Sequence, residues 1–207
     1  MLSDPRAAGG PQLKALVVAA LLALVTLAPA AASAREVRGE AAWKLVATSG
    51  YVVLIRHATA PGTGDPARFK LGDCTTQRNL DATGRTEARR LGEAFRRRGI
   101  KVARVLSSEW CRCRETAELL GLGKVEERTF LNSLYHDPSK DRARTSELRR
   151  YISAIPAGEL HVLVTHQFNI SALTDTAVSS GEMIILRIDP KGGKHTIAGR
   201  IPVAQAR

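Results

Sequence analysis

Aromatic side chains make up only 4% of this 207-residue chain, two Trp, three Tyr and four Phe. No RNA-binding aromatic motif or zinc-finger spacing accompanies them, so no specific nucleic-acid partner is expected. Cysteine is scarce: Cys74, Cys111 and Cys113 are an odd set of three that permits at most one internal disulfide. Cys111 and Cys113 are too close in sequence to pair comfortably, so a bridge, if one forms, joins Cys74 to one of them. The other reading is three idle thiols. A zinc site needs more ligands than C-x-C supplies. No arginine stands six positions after any cysteine, which excludes the C-x5-R phosphatase motif. The serine-hydrolase elbow G-x-S-x-G and the nucleotide-binding loop G-x-x-x-x-G-K-[ST] are also missing.

The first 34 residues read as an address rather than as structure. Arg6 and Lys14 give a basic start, residues 15–28 are apolar apart from Thr26, Pro29 breaks the run, and Ala32-Ser33-Ala34 offers the small residues a signal peptidase requires. The expected organisation is a signal peptide over 1–34, cut between Ala34 and Arg35, and one domain over 35–207. The apolar run is shorter than the roughly 20 residues that span a bilayer, so cleavage and export to the periplasm or medium are expected, with no membrane span afterwards. Almost all of the formal charge of +11 belongs to the mature domain, because the first 34 residues hold only Arg6, Lys14 and Asp4. Such a field favours anionic partners, namely phosphorylated small molecules or an acidic glycolipid.

Beyond the leader, Tyr51-Val52-Val53-Leu54-Ile55 is an unbroken apolar run that predicts a strand buried on both faces, and residues 102–106 and 162–164 repeat the pattern. Between the runs lie helical patterns. Ala88, Leu91 and Phe95 follow a cap at Asp81 or Thr83 and precede Gly99; Thr116, Leu119 and Leu120 lead to Gly121; Leu148, Ile152 and Ile155 stop at Pro156. Residues 183–188 and 196–201 read as late strands. Alternating strands and helices predict an α/β domain, a mostly parallel sheet covered on both sides. Residues 58–80 are aperiodic and rich in Gly and Pro, and a loop that long inside a domain usually has a task.

Each buried strand is followed at once by polar residues: Arg56-His57, then Ser107-Ser108 leading to Arg112, then Thr165-His166. Parallel sheets bind ligands at the carboxyl ends of their strands, so these clusters, about fifty residues apart, could share one crevice. Two guanidinium forks match phosphate oxygens. A neutral imidazole aimed at phosphorus can then displace a leaving group and form a covalent phosphohistidine, with no metal or cofactor needed. His136, His161 and His195 have no comparable context and read as structural.

Arg56-His57-Ala58-Thr59 resembles the R-H-G signature of the histidine phosphatase superfamily. Ser107-Ser108-Glu109-Trp110-Cys111-Arg112-Cys113-Arg114-Glu115-Thr116-Ala117 is similar to its S-S-P-L-x-R-A-x-Q-T-A segment, Thr165-His166 to its late G-H, and residues 80–91 to its L-T-x-x-G-x-x-Q-A helix start. The resemblance spans about residues 51–188. It implies branch 1 of the superfamily and a three-layer α/β/α sandwich of the phosphoglycerate mutase-like kind. It also implies a phosphomonoester hydrolase in which His57 is the nucleophile and Arg56, Arg112 and His166 hold the phosphoryl group.

The likeness departs where many members supply a carboxylic acid to the leaving oxygen. Phe130-Leu131-Asn132-Ser133 stands in place of L-L-R-E, which puts Ser133 at the glutamate position; Asp137 and Glu127 are the candidate substitutes, with Glu126 also near. Either a substitute reaches in, or the substrate has a good leaving group as in phosphohistidine phosphatases, or the protein binds phosphate or phosphoglycans with little turnover. Export and positive charge point to the lipopolysaccharide core heptose phosphatase-like branch, whose substrate is an anionic envelope glycolipid. A mutase would share the nucleophile, but an exported chain would seldom meet a glycolytic substrate.

Overall fold

The computed structural model describes residues 36–136 and 138–206, so the expected leader and Asp137 lie outside the described residues. The chain enters through a two-residue strand, β1 (Val37–Arg38), and a short helix, α1 (Gly39–Val46). The apolar run then forms β2 (Tyr51–Arg56), whose first five residues are all buried. Its apolar side chains alternate between two cores. Val53 and Ile55 join Trp43, Leu91, Phe95 and Leu120 on one face, while Val52 and Leu54 join Leu148, Ile152 and Ile170 on the other. A strand that must satisfy two apolar layers has no polar face, which is why it reads as a continuous hydrophobic run.

Helix α2 (Ala82–Arg97) begins where Asp81 caps it, the carboxylate accepting from the Gly84 N–H at 2.7 Å. It presents Ala88, Leu91 and Phe95 to the core. There follow β3 (Arg104–Ser107), α3 (Cys111–Leu120), β4 (Val125–Glu127), α4 (Asp141–Ser153), β5 (His161–Thr165), α5 (Gln167–Thr174), β6 (Met183–Arg187) and β7 (Thr196–Ile201). Gly121 ends α3 in the left-handed region at φ 60°, which a side chain would strain. Among the described residues no helix is long and apolar enough to cross a membrane.

The seven strands make one sheet in the order β1-β7-β6-β2-β5-β3-β4. β2, β5, β3 and β4 pair in parallel, as do β1 and β7, while β6 is antiparallel to both its neighbours. With α1, α2 and α3 on one face and α4 and α5 on the other, the fold is the expected three-layer α/β/α sandwich. Register fixes what matters for function. Arg56 pairs with Thr165 and Ser107 with Val164, so the carboxyl ends of β2, β5 and β3 finish side by side.

Candidate active site

His57 follows β2, Ser108 follows β3 and His166 follows β5, while Arg112 occupies the first turn of α3. The structure brings Arg56, His57, Arg112 and His166 together around one cleft of about 190 Å³, together with Arg78, Ser133, Tyr135 and Phe168. A larger cavity lies elsewhere, along Arg142 and Arg149 on α4, but holds none of these groups.

His57 is buried, and its backbone N–H donates to the Thr165 carbonyl at 2.9 Å. Nδ1 lies 2.8 Å from the Ala58 carbonyl. A carbonyl only accepts, so Nδ1 carries the proton and Nε2 the lone pair. Burial, reinforced by the Arg112 cation, pushes the imidazole pKa down to about 3. The ring is therefore neutral near pH 7.

His166 stands edge-on to His57 with ring centroids 5.6 Å apart. Its Nε2 lies 2.9 Å from the Ser108 hydroxyl, which donates onward to Asn132 Oδ1 at 3.2 Å. That chain puts the proton on Nε2 and leaves the Nδ1 lone pair facing Arg112 Nη2 at 3.4 Å. Burial first, and then the charge of Arg112, holds His166 well below the usual histidine range.

Arg112 Nη1 donates to both carboxylate oxygens of Asp65 at 2.8 and 3.0 Å. Both side chains are almost wholly shielded, 3% and 0% exposed, so the pair meets little screening. Asp65 also accepts from Trp110 Nε1 at 3.1 Å, the Arg78 backbone N–H at 2.9 Å and His136 Nε2 at 2.8 Å. Burial raises its carboxyl, but the Arg78 N–H and Arg112 outweigh that and leave it below the usual range. Arg78 is braced by the Gly64 carbonyl at 2.7 Å and by the Ala60 carbonyl. Arg56 donates to the Val178 carbonyl at 2.8 Å. Arg56 Nε and Arg112 Nε are buried without a hydrogen-bond partner, donors that call for an acceptor. Three guanidiniums against one carboxylate leave the cleft strongly cationic.

Neighbouring elements lock this arrangement. The Ala58 N–H donates to Thr116 Oγ1 at 3.1 Å and the Thr59 N–H to Glu87 at 2.9 Å, so the segment after His57 is pinned by α3 and α2. Cys74 is bonded to Cys111, immediately before Arg112. The buried Cys113 thiol, 3.4 Å from His166 Nε2, is pushed up to about 12 by burial and stays protonated. Among the described residues no group of His, Cys, Asp and Glu could hold a metal ion.

Of the carboxylates considered from the sequence, Glu127 ends the edge strand β4, bonds to Arg114 at 3.0 Å and does not line the cleft. Asp137 lies outside the described residues. Glu126 is committed to Arg104 and Arg128, and Ser133 does line the cleft. His136 does not line the cleft; its Nε2 lies 2.8 Å from Asp65 Oδ2, which makes it a support of the arginine network. His161 and His195 are structural, one bonded to Tyr151 and Glu159, the other to the Asp189 N–H and the Arg149 carbonyl. Sequence reasoning missed Asp65, Arg78 and Asn132. The only available signal for the first two was the aperiodic loop that contains them.

Residues 52–134 match the profile of the histidine phosphatase superfamily (branch 1). No curated protein matches the chain. Among solved structures, the protein histidine phosphatase SixA complexed with tungstate is similar at TM-score 0.55 and 14% identity, over 76% of this chain and 99% of that one. The product of the Rv3214 reading frame of Mycobacterium tuberculosis is similar at TM-score 0.54 and 17% identity, over 72% and 95%. A putative alpha-ribazole-5'-P phosphatase from Escherichia coli reaches 0.52 and 18%, over 71% and 94%. Identities this low establish the shared fold. The profile match takes in the R-H and S-S-x-x-x-R segments, so residues 52–134 carry the sequence pattern of branch 1 of the histidine phosphatase superfamily on a fold shared with these phosphatases.

Proposed function

We propose that this protein hydrolyses its substrate in two steps, through a phosphohistidine formed on His57, and that it does so after export. The observation that carries the reading is the tether from His57 Nδ1 to the Ala58 carbonyl, which reserves the Nε2 lone pair for a cleft lined by Arg56, Arg78 and Arg112. The guanidiniums hold the phosphoryl oxygens. Nε2 forms a bond to phosphorus as the bond to the leaving group breaks, and the departing atom keeps the electron pair and takes a proton. Water then attacks phosphorus, the N–P bond breaks, its pair returns to Nε2 and inorganic phosphate leaves. His166 Nδ1 faces a donor, Arg112 Nη2, whereas a phosphate oxygen there would present lone pairs. His166 therefore takes up a proton as the dianion binds, and donates to it.

No carboxylate lines the cleft among the described residues, which favours a substrate whose leaving group needs little protonation. The sugar oxygen of a phosphorylated envelope glycolipid would need an acid, and the candidate outside the described residues is Asp137. Export rests on the leader-like first 34 residues and gains support from the Cys74–Cys111 bridge, which suits an oxidising compartment.

The test is turnover of p-nitrophenyl phosphate by the mature protein, with quenching in alkaline detergent to trap a phosphoenzyme. Wild type should gain one acid-labile, base-stable phosphoryl group, and His57→Ala should lose it along with at least about 10³-fold in rate. Equal rates in the two would overturn the assignment. Asp137→Asn should change this rate less than about threefold; a loss near 10²-fold would make Asp137 the acid. Intact mass of secreted material reports whether the chain begins at Arg35.

A further inference from the structure

Three large apolar side chains stand out into solvent among the described residues, and two of them, Tyr135 (49% exposed) and Phe168 (51%), flank the mouth of the arginine cleft. Their rings lie 5.5 Å apart and are tilted by 37°. Tyr135 sits against Gly64, where a Cβ would stand 3.4 Å from its ring carbon Cε1, and Phe168 is held in the first turn of α5, two residues after His166. Both rings also line an adjoining groove floored by Leu134, Ser171 and Ala172. An apolar wall thus runs without a break from the cationic cleft. In a chain with so few aromatics, two left unburied beside the reactive histidine are a costly exposure unless something covers them.

We propose that this wall is the leaving-group subsite and that it selects phosphomonoesters of flat, uncharged aromatic alcohols. The inference rests on the phosphohydrolase reading above and adds to it the class of substrate. Two independent features lead to the same chemistry. The arginine cleft itself is lined by no described carboxylic acid, which favours a leaving oxygen that departs as a stable anion, as an aryloxide can and an alkoxide cannot. The wall offers Tyr135 and Phe168 as surfaces on which a flat ring can stack. Asp141 lies at the far side of the groove, its carboxylate accepting from the Thr145 hydroxyl at 2.9 Å, and repels leaving groups that carry further negative charge. In the first step the His57 Nε2–P bond forms and the aryl O–P bond breaks; the pair leaves on the aryl oxygen, which is protonated by solvent.

Because aryl esters react readily with any phosphatase, the test must separate stacking from leaving-group acidity. The probes are 2-naphthyl phosphate and a fluorinated alkyl phosphate whose parent alcohol is of similar acidity. In wild type kcat/KM for the naphthyl ester should exceed that for the fluoroalkyl ester by about tenfold or more, with the difference mostly in KM. In the Tyr135→Ala/Phe168→Ala double variant the ratio should fall towards one, and Phe168→Trp should restore it beside a native Tyr135. Both positions are exposed, so folding is not at stake. A wild-type ratio near one, or a ratio that survives the double variant, overturns the subsite. Turnover of both esters that persists in His57→Ala would instead bring down the phosphohydrolase reading on which the subsite depends.

Discussion

Breaking the Cys74–Cys111 bridge tests how the site is held together. The bond closes a segment with a sequence separation of 37 and ties the loop carrying Asp65 and Arg78 to the start of the helix carrying Arg112. Removing a loop of that length from the constrained unfolded chain costs about 4 kcal/mol in the chain-entropy treatment. For a domain of this size each kcal/mol shifts Tm by about 2–4 °C, so the Cys74→Ser/Cys111→Ser variant should melt some 8–16 °C lower. Function should suffer at temperatures where the variant is still folded. The Cys111 N–H still donates to Gln77 Oε1 at 3.0 Å, but the loop beyond Gln77 loses its covalent anchor. Arg112 then loses the fixed orientation that Asp65 imposes, and kcat should drop several-fold. Melting by circular dichroism and steady-state kinetics read the two effects, with dithiothreitol-treated wild type as the comparison. A Tm within 2 °C of wild type and an unaltered kcat would refute the claim that the bridge organises this loop.

Three further outcomes follow from the same geometry. His57 and His166 are both held neutral by burial, so the unfolded chain binds more protons than the folded one below about pH 6.5. Stability therefore falls as pH drops below 6.5 towards 3, by about 2 kcal/mol at pH 5 from His57, and His166 acts in the same direction; a melting profile that is flat between pH 7 and 5 would contradict this. At Gly84 an added Cβ would stand 2.1 Å from the Thr59 carbonyl oxygen, two residues past His57, so Gly84→Ala should cost about 1–3 kcal/mol and displace the segment that positions His57. Unchanged stability and kcat in that variant would show that α2 can retreat freely. Asp65→Asn keeps the shape but removes the charge that aligns Arg112; kcat should fall about tenfold or more while KM does not rise, since the cleft becomes more cationic. A raised KM at unchanged kcat would mean that Asp65 serves binding rather than alignment.

What could be read in advance followed from apolar pattern and what could not followed from charge. The β2 run, a helix cap at Asp81 or Thr83 and the bounds of β7 were legible because each obeys a local rule of burial, capping or alternation. Polar residues just after three buried strands implied a shared crevice, and the register of β2, β5 and β3 supplies it. The two-residue β1, the three-residue β4, and α1 and α5 of eight residues each are too short for a period to declare itself. Asp65 and Arg78 present a different difficulty. An aperiodic loop announces that it has a task but not which of its polar residues performs it, because the partner of Asp65 is 47 positions away on α3.

That division has a physical origin. Hydrophobic burial is additive along an element and leaves a repeating trace, whereas a buried carboxylate is tolerated only where several donors from separate segments converge on it. Asp65 takes donors from Arg112, Trp110, Arg78 and His136, four residues on three stretches of chain, and none of them predicts another. The same convergence is what a phosphoryl group requires. With Arg112 Nη1 committed to Asp65, its Nη2 and unpartnered Nε are left for the cleft, so the carboxylate determines which edge of the fork a substrate meets. A guanidinium free to rotate would bind phosphate as well but would not aim it at His57, and for that reason the alignment of Arg112 should appear in kcat and not in KM.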